Sequence, residues 1–208
     1  MSETKKPKLL RLTTPPMTLK YAWLQKPDDK YKKYSVNALA DLKADAKVAE
    51  FIKDLETKCR EEIQKQMNEL PEAKRKHIEA NWKFAVPFSE EKDAEYKPTG
   101  LHVLKVRSNS DHKPTVLTNI RGTLCSTERP VFNGSVGQVQ FLLNPYFDAA
   151  KERYGCSLLL TKVNVHTFAQ GTGNSGGNED FDLGEDGAPQ DINEKDPLAG
   201  PPPAKGDF

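Results

Sequence analysis

The first regular pattern in the chain is an alternation of apolar and polar residues over residues 18–24, TLKYAWL. The apolar positions that share one face of this alternation are Leu19, Tyr21 and Trp23. Such a pattern predicts a half-buried strand that begins after the Pro15-Pro16 break. A second short strand is predicted over residues 33–39.

From about residue 40 the apolar residues recur with the period of a helix. The positions in this series are Val48, Phe51, Ile52, Leu55, Cys59, Ile63 and Met67. Charged residues fill the positions between them, so we predict a long amphipathic helix that packs one side onto the body of the protein. Pro71 is expected to interrupt the helix, and residues 72–80 to form a second short helical segment.

After a predicted loop over residues 87–98 the chain becomes rich in strands. The candidate strands cover residues 100–108, 115–124, 138–143 and 157–168. Turn signals separate them, namely residues 108–114, Asn133-Gly134 and Asn144-Pro145. About five strands with helices inserted among them predict a mainly β, α+β fold: an OB-fold Greek-key barrel with a helical insert over about residues 40–80.

Charge divides the chain into a basic body and an acidic tail. The net charge of +1 is the balance of +8 in residues 1–169 and −7 in residues 170–208. Residues beyond 170 are mostly Gly, Asn, Asp, Glu and Pro, and too few apolar residues remain to offset the entropy of ordering them. We therefore predict an OB-fold domain over residues 1–169 and a disordered acidic tail over residues 170–208.

Cysteine usage and the N-terminal sequence predict a soluble cytoplasmic protein. The three cysteines, Cys59, Cys125 and Cys156, are odd in number and widely spaced, which favours free thiols in a reducing compartment. The sequence has no apolar segment typical of a signal peptide or a membrane span, so no membrane partner is expected.

The motifs of catalysis are missing from the sequence. The four histidines are scattered, and no phosphate loop or Gly-x-Ser-x-Gly elbow occurs. Residues 171–176 match Gly-x-Gly-x-x-Gly, but no helix can start in the acidic sequence that follows, so a linker is the better interpretation. We predict no enzymatic activity, no metal site and no cofactor.

A nucleic-acid interface is the better hypothesis, because cations and aromatic residues recur on the predicted strands and turns. Single-stranded nucleic acid requires both, since cations neutralise phosphates and aromatic rings stack on bases without sequence preference. The predicted phosphate contacts are Lys20, Lys105, Arg107, Arg121 and Arg129, and the predicted stacking residues are Trp23, Tyr34, Phe132 and Tyr146. Trp23 shares the predicted face of Leu19, so core packing is the alternative for its ring.

The tail suggests a function of its own. A polyanion tethered to a cationic groove competes with a bound strand at high effective concentration, and an aromatic residue at the C-terminus can anchor in a pocket of another protein. We therefore predict that Asp207 and Phe208 bind partners. The alternative is a tail that serves solubility alone.

Two segments, VFNGSVGQVQFLLNPYF at residues 131–147 and GCSLLLTKVNVHTF at residues 155–168, together with GLHVLKVRS and the acidic tail, carry a resemblance to a known family. They resemble bacteriophage single-stranded-DNA-binding proteins of the podophage replication type. The matching positions are Asn133, Gly134, Asn144, Pro145, Tyr146 and Gly155.

This resemblance implies a protein of the host cell cytoplasm that coats and anneals single strands in phage DNA replication, recombination and repair. It also implies recruitment of the phage DNA polymerase and helicase-primase through the tail, and formation of a homodimer. Two alternatives use the same sequence features: an RNA-binding OB protein, and a protein-interaction scaffold built on the long helix.

Overall fold

The computed structural model describes residues 9–93, 95–120 and 123–170. Within these residues the chain forms ten strands and two α-helices. Their bounds are β1 Arg11–Thr13, β2 Met17–Trp23, β3 Lys33–Ala40, α1 Ala46–Asn68, α2 Glu72–Asn81, β4 Lys83–Ala85, β5 Phe88–Lys92, β6 Pro98–Asn109, β7 Thr115–Ile120, β8 Thr123–Ser126, β9 Val136–Asp148 and β10 Arg153–Thr167.

Five of these strands close into a barrel. β2 pairs with β3, β3 with β6, β6 with β10 and β10 with β9, and β9 pairs back with β2. The β6–β10 pair is parallel and the other four pairs are antiparallel. A closed five-stranded barrel of this connectivity is the Greek-key barrel of the OB-fold, so the predicted fold class is confirmed.

The interior of the barrel is filled by the apolar residues that alternate along the five strands. Val36 of β3 lies opposite Val106 of β6, and both side chains are fully buried. The other fully buried barrel residues include Leu19, Leu104, Val139, Phe141, Leu143, Val163 and Val165. The residues between them face outward, and the candidate site lies on that outer surface.

The predicted helical insert is confirmed between β3 and β6. Asp45 caps the N-terminus of helix α1, and its carboxylate accepts hydrogen bonds from the backbone N–H groups of Lys47 and Val48 at 2.8 and 3.3 Å. Its buried positions are Val48, Ile52, Leu55, Cys59, Ile63 and Met67. This apolar stripe packs against β9 and β10. Pro71 ends the helical run, and α2 begins directly after it.

Cys59 and Cys156 join α1 to β10. The Cys156 thiol donates a hydrogen bond to the Cys59 carbonyl at 3.6 Å, and both side chains are buried. The pKa of the Cys59 thiol is raised, chiefly by a hydrogen bond with Cys156 and secondly by burial. Both residues are free thiols.

Two predicted boundaries in the second half of the chain are wrong. The predicted strand over residues 115–124 is an antiparallel pair, β7 and β8. The predicted turn at Asn144-Pro145 lies inside β9, where Pro145 is opposite Cys156 of β10. The last residue of β9 that pairs with β1 is Leu142, and Pro145 lies beyond it. Proline is tolerated there because the N–H that it lacks would have no partner in β1.

The loop predicted over residues 87–98 contains a strand, because β5 forms a hairpin with β6. Its sequence, FSEEK, has no apolar alternation, so its conformation follows from pairing with its neighbour. The predicted acidic tail lies outside the described residues. Within the described part of the chain, neither helix combines the length and apolar character needed to cross a bilayer.

Candidate nucleic-acid interface

A β-bulge in β2 decides which of its residues face outward. Lys20 lies opposite Asn37 of β3 and Trp23 lies opposite Ser35, so β2 has one residue more than β3 between these two pairs. The extra residue reverses the alternation. Leu19, before the bulge, points into the core, whereas Trp23 lies on the outer face. The predicted shared face of Leu19 and Trp23 is therefore wrong.

Two rows of side chains cross the outer face of β2, β3 and β6. In the first row Lys20 lies opposite Asn37, which lies opposite Lys105. In the second row Trp23 lies opposite Ser35, which lies opposite Arg107. The barrel thus brings together four of the predicted site residues: Lys20, Trp23, Lys105 and Arg107.

The turn between β2 and β3 adds an aromatic residue beside these rows. The Asp28 carboxylate accepts hydrogen bonds from the backbone N–H groups of Lys30 and Tyr31 at 2.9 and 2.8 Å, which fixes the turn. Tyr31 is left 65% exposed, and the Lys30 ammonium lies 5.3 Å from the centre of its ring.

These residues border an open groove of about 520 Å³. Tyr21, Trp23 and Tyr31 provide its aromatic lining, and Lys30, Lys33 and Arg107 its cations. A second groove of about 350 Å³ continues across β6 to β10, where it is lined by Lys105, Ser157 and Leu159. Lys33 and Arg107 line both grooves, so the two form one path over the barrel surface.

The path carries positive charge that the described residues leave largely unneutralised. Among these residues, no carboxylate lies within ion-pair distance of Lys33, Lys105 or Arg107. Asp28 is the acidic residue that lines the path, and its carboxylate accepts hydrogen bonds from backbone N–H groups of its own turn. A chain of phosphates fits this surface because exposed cations bind phosphates without needing an enclosed pocket.

The same architecture occurs in solved structures of phage proteins. The gp2.5 protein of bacteriophage T7, a single-stranded-DNA-binding protein, aligns over 87% of this chain and 98% of its own with a TM-score of 0.54 and 20% identity. The single-stranded-DNA-binding protein of bacteriophage Enc34 aligns over 81% of this chain and 87% of its own with a TM-score of 0.52 and 12% identity. This chain has their fold.

The Enc34 protein has also been solved in complex with single-stranded DNA. That structure aligns over 78% of this chain and 89% of its own, with a TM-score of 0.50 and 15% identity. No family model and no curated protein matches the sequence. The likeness to phage single-stranded-DNA-binding proteins is thus one of fold, and the residues of the site are argued from this chain's own geometry.

Lys20 differs from the other cations of the face because it is paired. Its ammonium donates to the Glu91 carboxylate at 2.8 Å, and the Lys20 and Glu91 side chains are 35% and 14% exposed. Glu91 also accepts a hydrogen bond from the Thr99 hydroxyl at 3.1 Å. The β5–β6 hairpin thus places the Glu91 carboxylate in an ion pair with Lys20, which is one of the predicted phosphate contacts.

The structure places Tyr34 in the core, so its predicted stacking role is corrected. Its ring is 7% exposed and belongs to the buried cluster of the barrel. Tyr34 alternates in phase with Val36 on β3, and a strand sends such residues to the same side. The buried ring has no open face for a base.

Arg129 and Phe132 lie on the segment that precedes β9, beside β2. The Gln25 side chain donates to the carbonyls of Thr127 and Arg129 at 3.3 and 3.4 Å, which joins this segment to the end of β2. Phe132 is 37% exposed. The Arg129 guanidinium lies 4.5 Å from the centre of the Phe168 ring, so this cation has an aromatic partner within the protein.

Tyr146 lies apart from the two grooves. It belongs to β9 and pairs with Gly155 of β10 rather than standing on a turn. If Gly155 had a Cβ atom, that atom would lie 3.2 Å from the Tyr146 hydroxyl and next to Ala85 of β4. The Tyr146 hydroxyl therefore lies close to the Gly155 backbone. Arg121, Asp207 and Phe208 lie outside the described residues.

Four cationic or aromatic residues of the first groove are not among the predicted contacts: Tyr21, Lys30, Tyr31 and Lys33. The last three share the sequence KYKK, which interleaves cations with an aromatic residue between two predicted strands. That pattern is itself a signal for single-stranded nucleic acid. The alternation places Tyr21 on the face of Leu19, and only the register with β3 reveals the bulge that turns its ring outward. The described residues contain no cluster of three potential metal ligands.

Proposed function

We propose that this protein is a sequence-tolerant, non-enzymatic single-stranded-DNA-binding protein that coats and anneals strands in phage DNA replication and recombination. The observation that carries the proposal is the pair of grooves on the outer face of the barrel that share Lys33 and Arg107, with aromatic rings in the first groove and exposed cations in both. The shared fold with phage proteins that bind single-stranded DNA supports it.

In the proposed mechanism, phosphates follow Lys33, Lys105 and Arg107, and bases stack on the aromatic residues of the first groove. The exposed rings of Tyr21 and Tyr31 and the outward position of Trp23 suit this role. Stacking and phosphate contacts do not read the edges of bases, so binding tolerates any sequence. A duplex binds less well because its bases are already stacked on each other.

The acidic tail has a proposed part in this mechanism. Residues 170–208 carry a net charge of −7, which suits competition with DNA for the cationic path. DNA binding would then release the tail, whose terminal Asp207 and Phe208 recruit the phage DNA polymerase and helicase-primase. Homodimer formation and a role in DNA repair belong to the same proposal and rest on the resemblance in sequence.

The proposal is tested by the anisotropy of fluorescein-labelled oligo-dT titrated with the full chain. We expect Lys105→Ala combined with Arg107→Ala to weaken binding at least tenfold, at about 1 kcal/mol or more per charged contact. The slope of log affinity against log salt should become shallower by about 1.4, since each lost phosphate contact removes about 0.7 from its magnitude.

A matched control removes the same charge elsewhere. Lys47 and Lys53 are exposed on α1, which packs against β9 and β10. The double variant Lys47→Ala, Lys53→Ala should bind almost as wild type. Equal losses in the two folded double variants would show that overall charge, rather than the proposed path, binds the strand.

The alternatives are separated by the choice of ligand. Stronger binding to oligo-rU than to oligo-dT of equal length would favour the RNA-binding protein, because only the 2′-hydroxyl and the base methyl group differ. A scaffold would capture its protein partner without nucleic acid, at salt concentrations that abolish phosphate contacts.

A further inference from the structure

The bulge in β2 leaves a backbone donor without a partner in the sheet. The register between β2 and β3 is interrupted between Lys20 and Trp23, and the N–H of Tyr21 lies in this interruption. A residue 112 positions away satisfies it: the Asn133 side-chain oxygen accepts this hydrogen bond at 2.7 Å. An orphaned N–H in a bulge is costly unless water or a side chain replaces the ladder bond.

The backbone of Tyr21 has a conformation that few residues with a side chain adopt. Its φ angle is +49°, in the left-handed region that favours glycine. A tyrosine remains in this region only when surrounding contacts hold it there, and such residues are concentrated at functional sites. The result here is a ring that is 62% exposed and lines the first groove.

Asn133 is held firmly on the other side of the contact. The Gly134 N–H donates to the Leu19 carbonyl at 2.9 Å, and the Leu19 N–H donates to the Ser135 carbonyl at 2.7 Å. Ser135 is fully buried, and its hydroxyl accepts from the Ala169 N–H at 3.0 Å. Gly134 has a φ of +93°, which a residue with a side chain would adopt only under strain.

We propose that Asn133 is a positioning residue for single-stranded DNA: it fixes the β2 bulge in the conformation that displays Tyr21 and Trp23 in the groove. The inference rests on the proposed DNA-binding function and adds a residue outside the groove itself. Asn133 acts through the Tyr21 backbone. Without its acceptor, the bulge is free to relax and the two rings lose their fixed orientation.

The first test is a double-mutant cycle with Asn133→Ala and Tyr21→Ala, read by oligo-dT anisotropy. We expect Asn133→Ala to weaken binding about five- to tenfold, because the rings of Tyr21 and Trp23 would keep only part of their stacking on the bases. In the Tyr21→Ala background the same change should weaken binding by much less, because one of the rings that it positions is already gone. Asn68→Ala, at the exposed end of α1, is the matched control.

The second test needs no DNA and uses hydrogen exchange of the Tyr21 amide by NMR. The amide should be protected in wild type, exposed in Asn133→Ala, and protected again in Asn133→Asp, which keeps an acceptor oxygen. If Asn133→Ala fails to fold, Asn133→Gln moves the acceptor by one methylene and replaces it in both tests.

The outcomes separate the two proposals. If wild type binds oligo-dT and a folded Asn133→Ala variant binds equally well, Asn133 has no positioning role. Multiplicative losses in the double-mutant cycle would overturn it as well, because they mean that Asn133 and Tyr21 act independently. If wild type fails to bind oligo-dT, the proposed function fails, and an exchange result that still follows the acceptor then assigns Asn133 to the fold alone.

Discussion

At the scale of single residues, the strength of the proposed DNA-binding face depends on which of its cations are already paired with a carboxylate. Lys105 and Arg107 are exposed, whereas Lys20 in the same two rows is ion-paired with Glu91. A phosphate that approaches Lys20 must displace this carboxylate. Glu91 therefore lowers the number of cations that the face offers to a strand.

We predict that Glu91→Gln binds oligo-dT more tightly than wild type. The amide keeps an oxygen that can accept from Lys20 but removes the competing charge, so one further phosphate contact becomes available. The slope of log affinity against log salt should steepen by about 0.7 in an anisotropy titration series. Glu61→Gln removes one exposed carboxylate from α1 and serves as the control. An equal gain in both variants would mean that net charge, not Lys20, is responsible.

At the scale of elements, the sequence predicted those parts whose pattern is set by one-sided burial. The 3.6-residue period of Val48, Ile52 and Leu55 identified α1, because one stripe of the helix meets the barrel. Lys105 and Arg107, two of the predicted phosphate contacts, are exposed and alternate with the buried Leu104 and Val106.

The elements that the sequence did not predict are set by their neighbours. The bulge at Tyr21 is visible only in the register with β3, and β5 is a strand because it pairs with β6. Pro145 indicated a turn, yet it lies in β9 beyond the last residue paired with β1. A single-sequence pattern contains no information on such pairings.

The N-terminus of α1 provides a prediction at this scale. Asp45→Ala removes the acceptor for two backbone N–H groups, so the free energy of unfolding should fall by about 1 kcal/mol. Asp45→Ser should retain most of the stability, since a hydroxyl also caps. Urea denaturation measures both variants. Glu61→Ala, in the middle of the same helix, should change the free energy of unfolding by less than about 0.5 kcal/mol. A loss in Asp45→Ala no larger than in Glu61→Ala would contradict the capping role.

At the scale of the whole molecule, the chain separates its charges. A body with a net charge of +8 and a tail with −7 nearly cancel, so the overall charge of +1 conceals a strongly basic body. The proposed competition between tail and DNA follows from this separation and depends on ionic strength.

Truncation after Gln170 should therefore tighten oligo-dT binding several-fold at low salt. The difference should shrink as salt rises, because screening weakens the tail and the DNA contacts alike. Anisotropy of labelled oligo-dT with the full-length and truncated chains, over a salt series, measures the effect. Loss of DNA binding on truncation would contradict the competition model, since the tail would then contribute to the site.

The proposed stacking of a single strand on the aromatic groove of the barrel can be tested directly with the two tryptophans. Trp23 lines the groove, whereas Trp82 is half-buried at the end of α2. Quenching of intrinsic fluorescence by oligo-dT should persist in Trp82→Phe and be largely lost in Trp23→Phe, with anisotropy confirming that both variants bind. Quenching that persists in Trp23→Phe and disappears in Trp82→Phe would place the strand elsewhere on the protein and contradict stacking in the groove.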